Sequence, residues 1–250
     1  MKRDDEVLPT EVVPVADLPV VDLPRHEVVG YSAVPARDRA RLVFALHVGG
    51  LLHLDHQAFR AALTGADVLY ADGAAVVLLA RLAGARRIER APTTDIGAPV
   101  LREVSRRLGR PARVALVGGP PGLAGRAGEV LVRSTGVDVV ATHSGYFTDD
   151  AVVLDLLRHS RPDVVVLGLG MPKEAVWAHQ HSDALPRAVV LTCGGWFGFL
   201  TGAERRAPRW LQTAGLEWTY RLYQQFPRLA GRYARGAVRV ARLAPRQMAV

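Results

Sequence analysis

Apolar residues between positions 37 and 192 fall into short continuous runs rich in Val and Leu, and segments that favour helix separate these runs. The runs predict strands at residues 41–48, 68–70, 113–117, 137–141, 163–167 and 188–192. The intervening segments predict helices at residues 51–63, 73–83, 99–108, 123–134, 149–159 and 174–181. Strands that are apolar on both faces are typical of parallel sheets covered by helices on both sides. The sequence therefore predicts an α/β fold, a Rossmann-like doubly wound sheet that is mostly parallel.

The two ends of the chain lack this alternation. Residues 1–24 are rich in Val, Pro and Asp without a helical period, which predicts a poorly ordered acidic leader with an edge strand near residues 11–15. Residues 203–233 hold six arginines among six aromatic residues, and prolines and Gly215 interrupt the helical period there. We predict a short helix around residues 208–213 and a second from about residue 216. The predicted domains are a leader (1–24), an α/β core (25–202) and a basic aromatic C-terminal appendage (203–250).

Three interpretations of the appendage compete. It could be a closing amphipathic helix with a solvated arginine face, which is the usual structure of such a charge run. It could be a helix on a membrane surface, with arginines for anionic headgroups and aromatic rings at the interface. It could also be a lid whose arginines hold a pyrophosphate, because guanidinium groups match phosphate oxygens bidentately. Composition alone favours the first.

Charge and cysteine content narrow the class of protein. The 250 residues are 49% hydrophobic, enough for a sizeable core, and the formal net charge is +8. Ten arginines against two glutamates follow position 202, which indicates an anionic partner such as a phosphorylated ligand, a lipid surface or nucleic acid. The single cysteine, Cys193, excludes an intramolecular disulfide and fits a reducing compartment. Neither a transmembrane run nor a signal peptide is predicted, so we expect a soluble or peripheral protein.

Glycine-rich loops follow three of the predicted strands, at Gly118–Gly119 with Gly122, at Gly168 with Gly170, and at Gly194–Gly195. Glycine lets a backbone approach a phosphate, although a tight strand-to-helix turn is the better explanation of any one loop. Three such loops in one sheet favour a nucleotide-type ligand. No dinucleotide fingerprint or P-loop is present, which disfavours a Rossmann oxidoreductase or an ATPase.

Asp72 follows the strand at 68–70 and is a candidate general base, although an Asp-Gly turn or a helix N-cap is the commoner reason for such a pair. The eight histidines match no zinc spacing, so we expect neither a metal nor a cofactor. Cys193 is expected to be a core residue rather than a nucleophile.

Six stretches resemble, in order, the WecG/TagA/CpsF family of bacterial glycosyltransferases, and together they span about residues 40–235. They are LYADGAAVVLLARLAG, RIERAPTTDI, VALVGGPPG, HSGYF, PDVVVLGLGMPKEAVW and RAPRWLQTAGLEWTYRL. Each motif alone is weak, but their combination is specific. The resemblance implies a metal-independent, inverting transfer of a hexose-type sugar, N-acetylmannosamine or a related sugar, from a UDP-sugar. The implied acceptor is an undecaprenyl-diphosphate-linked sugar at the inner face of the cytoplasmic membrane, in cell-surface polysaccharide or teichoic acid synthesis.

The resemblance also implies site residues. Asp72 matches the family's proposed general base, Arg90 the arginine near the donor diphosphate and Asp95 the acid that follows it. Arg221, Arg228 and Arg232 match C-terminal arginines that close over the active site, on an appendage thought to dock on the membrane. The family motifs add substrate-binding candidates to the glycine loops: Tyr146, Pro172, Lys173 and Glu174.

Some family positions differ in this chain. The threonine expected near the first core strand is replaced by Ala45, and the asparagine two residues later by His47. Glu174-Ala175 stands where the family has Gln-Glu, Gly198 replaces an acid, and Gln225-Phe226 replaces Glu-Pro. An alternative is therefore a catalytically degenerate relative that binds nucleotide sugar as a partner protein. Nucleic-acid binding has only the charge in its favour and is not expected. A homo-oligomer stays open.

Overall fold

The computed structural model describes residues 11–208, 211, 219–220 and 226–248. Its strands are β1 (Val12–Val15), β2 (Leu18–Val21), β3 (Arg41–Leu46), β4 (Val68–Ala71), β5 (Arg113–Gly118), β6 (Asp138–His143), β7 (Val164–Gly168) and β8 (Val189–Thr192). The strands β3 to β8 form one parallel sheet in the order β4-β3-β8-β7-β5-β6. The fold is therefore α/β and Rossmann-like, as the apolar runs predict.

Helices cover both faces of this sheet. They are α1 (Arg25–Ser32), α2 (Val48–Leu51), α3 (Gln57–Thr64), α4 (Ala74–Leu82), α5 (Thr93–Leu108), α6 (Leu123–Thr135), α7 (Asp150–Ser160), α8 (Lys173–Gln180), α9 (Trp196–Leu200) and α10 (Phe226–Gln247). Buried side chains of α2, α3, α4, α7, α8 and α10 form one core cluster, and those of α1, α5, α6 and α9 form the other. Successive residues of β3 alternate between these clusters, so both faces of the strand are buried.

The N-terminal segment departs from its prediction. The edge strand expected near residues 11–15 is present as β1, but it pairs with β2 in an antiparallel hairpin. Ala16 and Asp17 at its turn have φ values of 51° and 64°, which suit a two-residue hairpin turn. Val15, Leu18 and Val20 are fully buried in the core. A poorly ordered leader is therefore wrong for residues 12–21, because alternate apolar side chains anchor the hairpin.

Helix boundaries also differ in places. The helix predicted at 51–63 begins only at Gln57, as α3, and the short helix α2 before it was not predicted. The Nδ1 atoms of His47 and His56 accept backbone N–H groups at the N-termini of α2 and α3. The helix predicted at 99–108 begins six residues earlier and contains Pro99. The prediction missed α1 and α9 as well as β2. These are short elements, and their apolar patterns are too brief to stand out.

The helix α10 packs against α2 and α4 near the end of the chain. A Cβ atom on Gly236 would lie 2.6 Å from Val48 Cγ2, so the helices are in close contact there. Leu243 enters the core, and Gln247 Oε1 accepts a hydrogen bond from Ala16 N at 3.1 Å. The helices expected around residues 208–213 and from 216 lie mostly outside the described residues. Within the described ranges, no helix has the length and apolar character needed to span a bilayer.

Candidate active site

The carboxyl ends of the six parallel strands lie along one edge of the sheet, where ligands of open α/β folds bind. Leu46 of β3 is in register with Ala71 of β4, so His47 and Asp72 follow neighbouring strands. Residues 118–119, 145–146, 168–170 and 193–194 follow the ends of β5, β6, β7 and β8. Most of the sequence-predicted site residues therefore share this edge.

Asp72 is half-buried at the end of β4. Its backbone N–H donates to Leu46 O at 2.9 Å, which holds it beside β3. The N-cap of α4 is Gly73, and no side chain caps this helix. The N-cap explanation of Asp72 therefore does not apply, and Asp72 lies at the carboxyl edge of the sheet. Its negative charge also contributes to raising the pKa values of Tyr70 and Glu174.

Arg90 lies in the segment between α4 and α5. The N–H group of the next residue, Ala91, donates to Ala71 O at 2.8 Å, so this segment runs beside the end of β4. Asp95, in the first turn of α5, forms two ion pairs: Arg206 Nη2 lies 2.8 Å from its Oδ1 atom, and Arg25 Nη1 lies 3.9 Å from its Oδ2 atom. Asp95 thus contacts both the start of the appendage and the first turn of α1.

Glycines let the loops after β5, β6 and β7 pack directly on one another. A Cβ atom on Gly118 would lie 2.5 Å from the carbonyl oxygen of Gly168, so no larger residue fits. Gly119 N donates to Gly168 O at 3.2 Å, and Gly145 N donates to Gly119 O at 2.8 Å. Gly122 precedes α6 and Gly170 precedes α8, each with positive φ. Backbone rather than side chains therefore forms most of this part of the edge.

Glu174 is buried between two of these loops, with 2% of its surface exposed. Its Oε2 atom accepts hydrogen bonds from Gly170 N at 3.1 Å and from Gly194 N at 3.2 Å. Burial raises its pKa to about 7, and the charge of Asp72 adds to this effect, whereas the backbone N–H groups act in the opposite direction. The carboxyl group thus connects the loops after β7 and β8. Sequence reasoning gave Glu174 only as a substrate contact.

The pattern of α8 holds a signal for this burial. Ala175, Trp177 and Ala178 are buried on one side of the helix, and Glu174 shares that side by the spacing of three and four residues. Cys193, after β8, is buried too, and burial raises its pKa well above the usual value. It is a core thiol, as predicted.

Lys173 and Tyr146 lie at the β6 side of the edge. Lys173 Nζ is 4.8 Å from the centre of the Phe147 ring and 3.5 Å from Gly145 O. Tyr146 is 76% exposed, so its ring is available to a ligand. Pro172 precedes α8 after a cis peptide bond. No group of three or more metal-binding side chains occurs within the part of the chain that the structure describes.

The structure describes only some of the C-terminal arginines that the family resemblance assigns to the site. Arg221 lies outside the described residues, and Arg228 and Arg232 are described as part of α10 without their side chains. Further arginines continue the same helical spacing of three or four residues: Arg235, Arg239, Arg242 and Arg246. Arg239 Nη2 is 2.9 Å from Asp55 Oδ1, beside a surface cavity of about 390 Å³ between α10 and residues 52 and 55.

The structure gives contacts for two of the positions that differ from the family motifs, Ala45 and His47. Ala45 is buried in the core on the α5 side of the sheet, and its N–H group donates to Thr192 Oγ1 at 3.2 Å. His47 caps α2, and a Cβ atom on Gly73 would lie 3.4 Å from His47 Cβ. The histidine is therefore packed against the Asp72-Gly73 turn.

A comparison with protein families matches the family described as Glycosyl transferase WecG/TagA/CpsF family over residues 13–249. This match covers nearly the whole chain, from β1 to the end of α10. The chain therefore belongs to that glycosyltransferase family.

Proposed function

From this family membership, we propose that the protein transfers a hexose-type sugar, N-acetylmannosamine or a related sugar, from a UDP-sugar to an undecaprenyl-diphosphate-linked acceptor. The transfer is inverting and independent of metal, as the resemblance implies. The observation that carries the proposal is the meeting of Asp72 and the Arg90 segment at the end of β4, through the hydrogen bond from Ala91 N to Ala71 O. Asp72, the proposed base, and Arg90, the proposed diphosphate contact, thus belong to neighbouring backbone segments.

The reaction follows from these two groups. The Asp72 carboxylate accepts the proton of the acceptor hydroxyl, whose oxygen attacks the anomeric carbon of the donor sugar. The bond from that carbon to the diphosphate oxygen breaks, and UDP leaves with the electron pair. Arg90 and the C-terminal arginines Arg221, Arg228 and Arg232 stabilise the negative charge on the leaving diphosphate. A lid formed by these arginines also excludes water, which suppresses hydrolysis of the donor.

The glycine loops hold the nucleotide in this proposal. Since glycine has no side chain, the loops that contain Gly118, Gly119 and Gly122, and those that contain Gly168 and Gly170, can approach the phosphates or the ribose closely. The substrates also contact Tyr146, Lys173 and Pro172, which lie towards the outer, β6 end of the same edge. Glu174 acts indirectly, because its carboxyl group holds the two loops together. Asp95 ties the appendage to α5 through Arg206.

The exposed surface of α10 suits the membrane-contact interpretation of the appendage. Arg235, Arg242 and Arg246 are exposed on one side of the helix. A neighbouring exposed strip is apolar or small and consists of Ala234, Ala237, Val238, Ala241, Pro245 and Met248. Arginines beside an exposed apolar strip are typical of helices that lie on anionic lipid surfaces. This surface would bring the site to a lipid-linked acceptor at the inner face of the cytoplasmic membrane.

A transfer assay tests the proposal. The purified protein is incubated with a panel of UDP-sugars and a short-chain lipid-diphosphate-GlcNAc acceptor, with EDTA present. We expect product with one donor and inverted configuration at the anomeric carbon. Asp138→Asn serves as the matched control for Asp72→Asn, since Asp138 is exposed at the opposite edge of the sheet, where β6 begins. UDP binding without product for any donor would support the degenerate relative instead.

A further inference from the structure

The N-terminal segment next to β2 is bonded to the segment that carries Arg90. Asp22 is buried, with 3% of its surface exposed. Its two carboxylate oxygens accept one backbone N–H group each, from Arg86 and Arg87, both at 2.9 Å. Burial of a carboxylate is costly unless such bonds satisfy it, so this contact is specific. Asp22 thereby fixes the beginning of the segment at 86–91.

Arg25 contacts the same segment at Glu89 and at Arg90. Its Nε atom donates to Arg90 O at 2.9 Å, and its backbone N–H group donates to Glu89 Oε2 at 2.9 Å. Glu89 N in turn donates to Leu23 O at 3.3 Å. The backbone of Arg90 is therefore held directly by a side chain from the first turn of α1.

The other end of the segment is anchored to the sheet. Ala91 N donates to Ala71 O, one residue before Asp72. The segment at 86–91 is thus held at its start by Asp22, in the middle by Arg25 and at its end by β4. A change at either N-terminal contact would free Arg90 to move relative to Asp72 while the sheet stays intact.

We propose that Asp22 and Arg25 are positioning residues that hold Arg90 beside Asp72 for the reaction. We call this set of contacts, from Asp22 and Arg25 to the segment at residues 86–91, the brace. The mechanical part of this inference stands on the hydrogen bonds alone, whereas its catalytic part rests on the proposed function. The two parts call for two different measurements.

Hydrogen–deuterium exchange of the full-length protein tests the brace itself. We expect Asp22→Asn and Arg25→Ala to accelerate exchange at residues 86–91, by up to about tenfold, the scale of one lost hydrogen bond. Exchange of β5 should stay unchanged. Arg25 is the safer variant for folding, because its side chain is 46% exposed. Unchanged exchange at residues 86–91 in both variants would overturn the brace, whether or not the protein transfers sugar.

Controls match each substitution. Asp17→Asn makes the same change in the hairpin that precedes Asp22, at a carboxylate that is 89% exposed and at a φ value that asparagine tolerates. Arg133→Ala removes an exposed arginine on α6, far along the chain from the segment. Both controls should keep native exchange.

Transfer kinetics test the positioning role. The rates are measured at a temperature where every variant is folded. We expect kcat/KM for the donor to fall about tenfold in Asp22→Asn and Arg25→Ala, because the lost hydrogen bond no longer helps to position Arg90 in the transition state. Arg25→Lys keeps a donor and should recover part of the loss. A purely structural role would lower the unfolding midpoint and leave kcat/KM native. Faster exchange with native kcat/KM would therefore overturn the positioning role. If the native protein transfers no sugar, the proposed function is refuted, and the exchange measurement alone then decides whether the brace exists.

Discussion

Two parts of the carboxyl edge carry a carboxyl group in opposite surroundings. The β4 end comprises Asp72 and the Arg90 segment, and the β7–β8 end comprises residues 168–174 and 193–195. Asp72 is half-buried, whereas Glu174 is buried and bonded to two backbone N–H groups. Asp72 is therefore partly open to solvent, whereas Glu174 is enclosed by the two loops that it connects. The same edge thus separates the proposed chemistry from the support that shapes the site.

The largest expected effect tests the β4 end. Asp72→Asn removes the proposed base with little change in volume, so kcat should fall about 100-fold or more, the scale of general base catalysis. The measurement is the initial rate of sugar transfer at saturating donor, compared with Asp138→Asn. A native rate in Asp72→Asn would assign the base to another group and remove the basis of the comparison.

Glu174→Gln tests the β7–β8 end through pH. The pKa of Glu174 in the folded protein is about 7, above its ordinary value of 4.5, so the folded state binds this proton more tightly than the unfolded chain. The contribution of Glu174 to the free energy of unfolding is fully present below pH 4.5. It is lost as the pH rises to about 7, and the loss is on the order of 3 kcal/mol. Glutamine keeps the accepting oxygen and stays neutral. We expect Glu174→Gln to be more stable than the native protein at pH 8, in urea unfolding monitored at several pH values. If the free energy of unfolding depends on pH equally in both proteins, the raised pKa of Glu174 is contradicted.

Gly118→Ala tests the contact between loops. The new methyl group would lie 2.5 Å from the Gly168 carbonyl, so the loops must separate, at a cost of about 1–3 kcal/mol. Gly125→Ala is the matched control, because nothing lies within 4 Å of its Cβ position in α6 and alanine favours helix. The thermal unfolding midpoints should therefore change in opposite directions. A native midpoint in Gly118→Ala would mean that the loops adapt freely.

The smallest effect connects the two ends. Burial is the main cause of the raised pKa of Glu174 and the charge of Asp72 is a smaller one, so Asp72→Asn should lower that pKa slightly. A carboxyl carbon titration of Glu174 by NMR, in the native protein and in Asp72→Asn, measures the shift. The pH window of the stability loss should move down with it. An upward shift would show that the two carboxyl groups do not interact as charges of the same sign.

Local pattern predicted much of this site, but not the parts that depend on contacts distant in sequence. The residues after each strand could be assigned to one edge, because carboxyl ends of parallel strands meet there. The hydrogen bond that Glu174 accepts from Gly194 could not be predicted, since Gly194 follows a different strand. Asp22 was missed for the same reason: its partners Arg86 and Arg87 lie more than sixty positions away.

The sequence by itself determined the parallel sheet and the family, because runs that are apolar on both faces have few other stable arrangements and the motifs occur in order. Tertiary structure alone decided which polar groups are buried and what they hold. The hairpin at residues 12–21 illustrates this, since a leader of Val, Pro and Asp orders only when Val15, Leu18 and Val20 find the core. Burial is a property of the packed chain, and a carboxylate's role changes with it from solvated charge to internal hydrogen-bond acceptor.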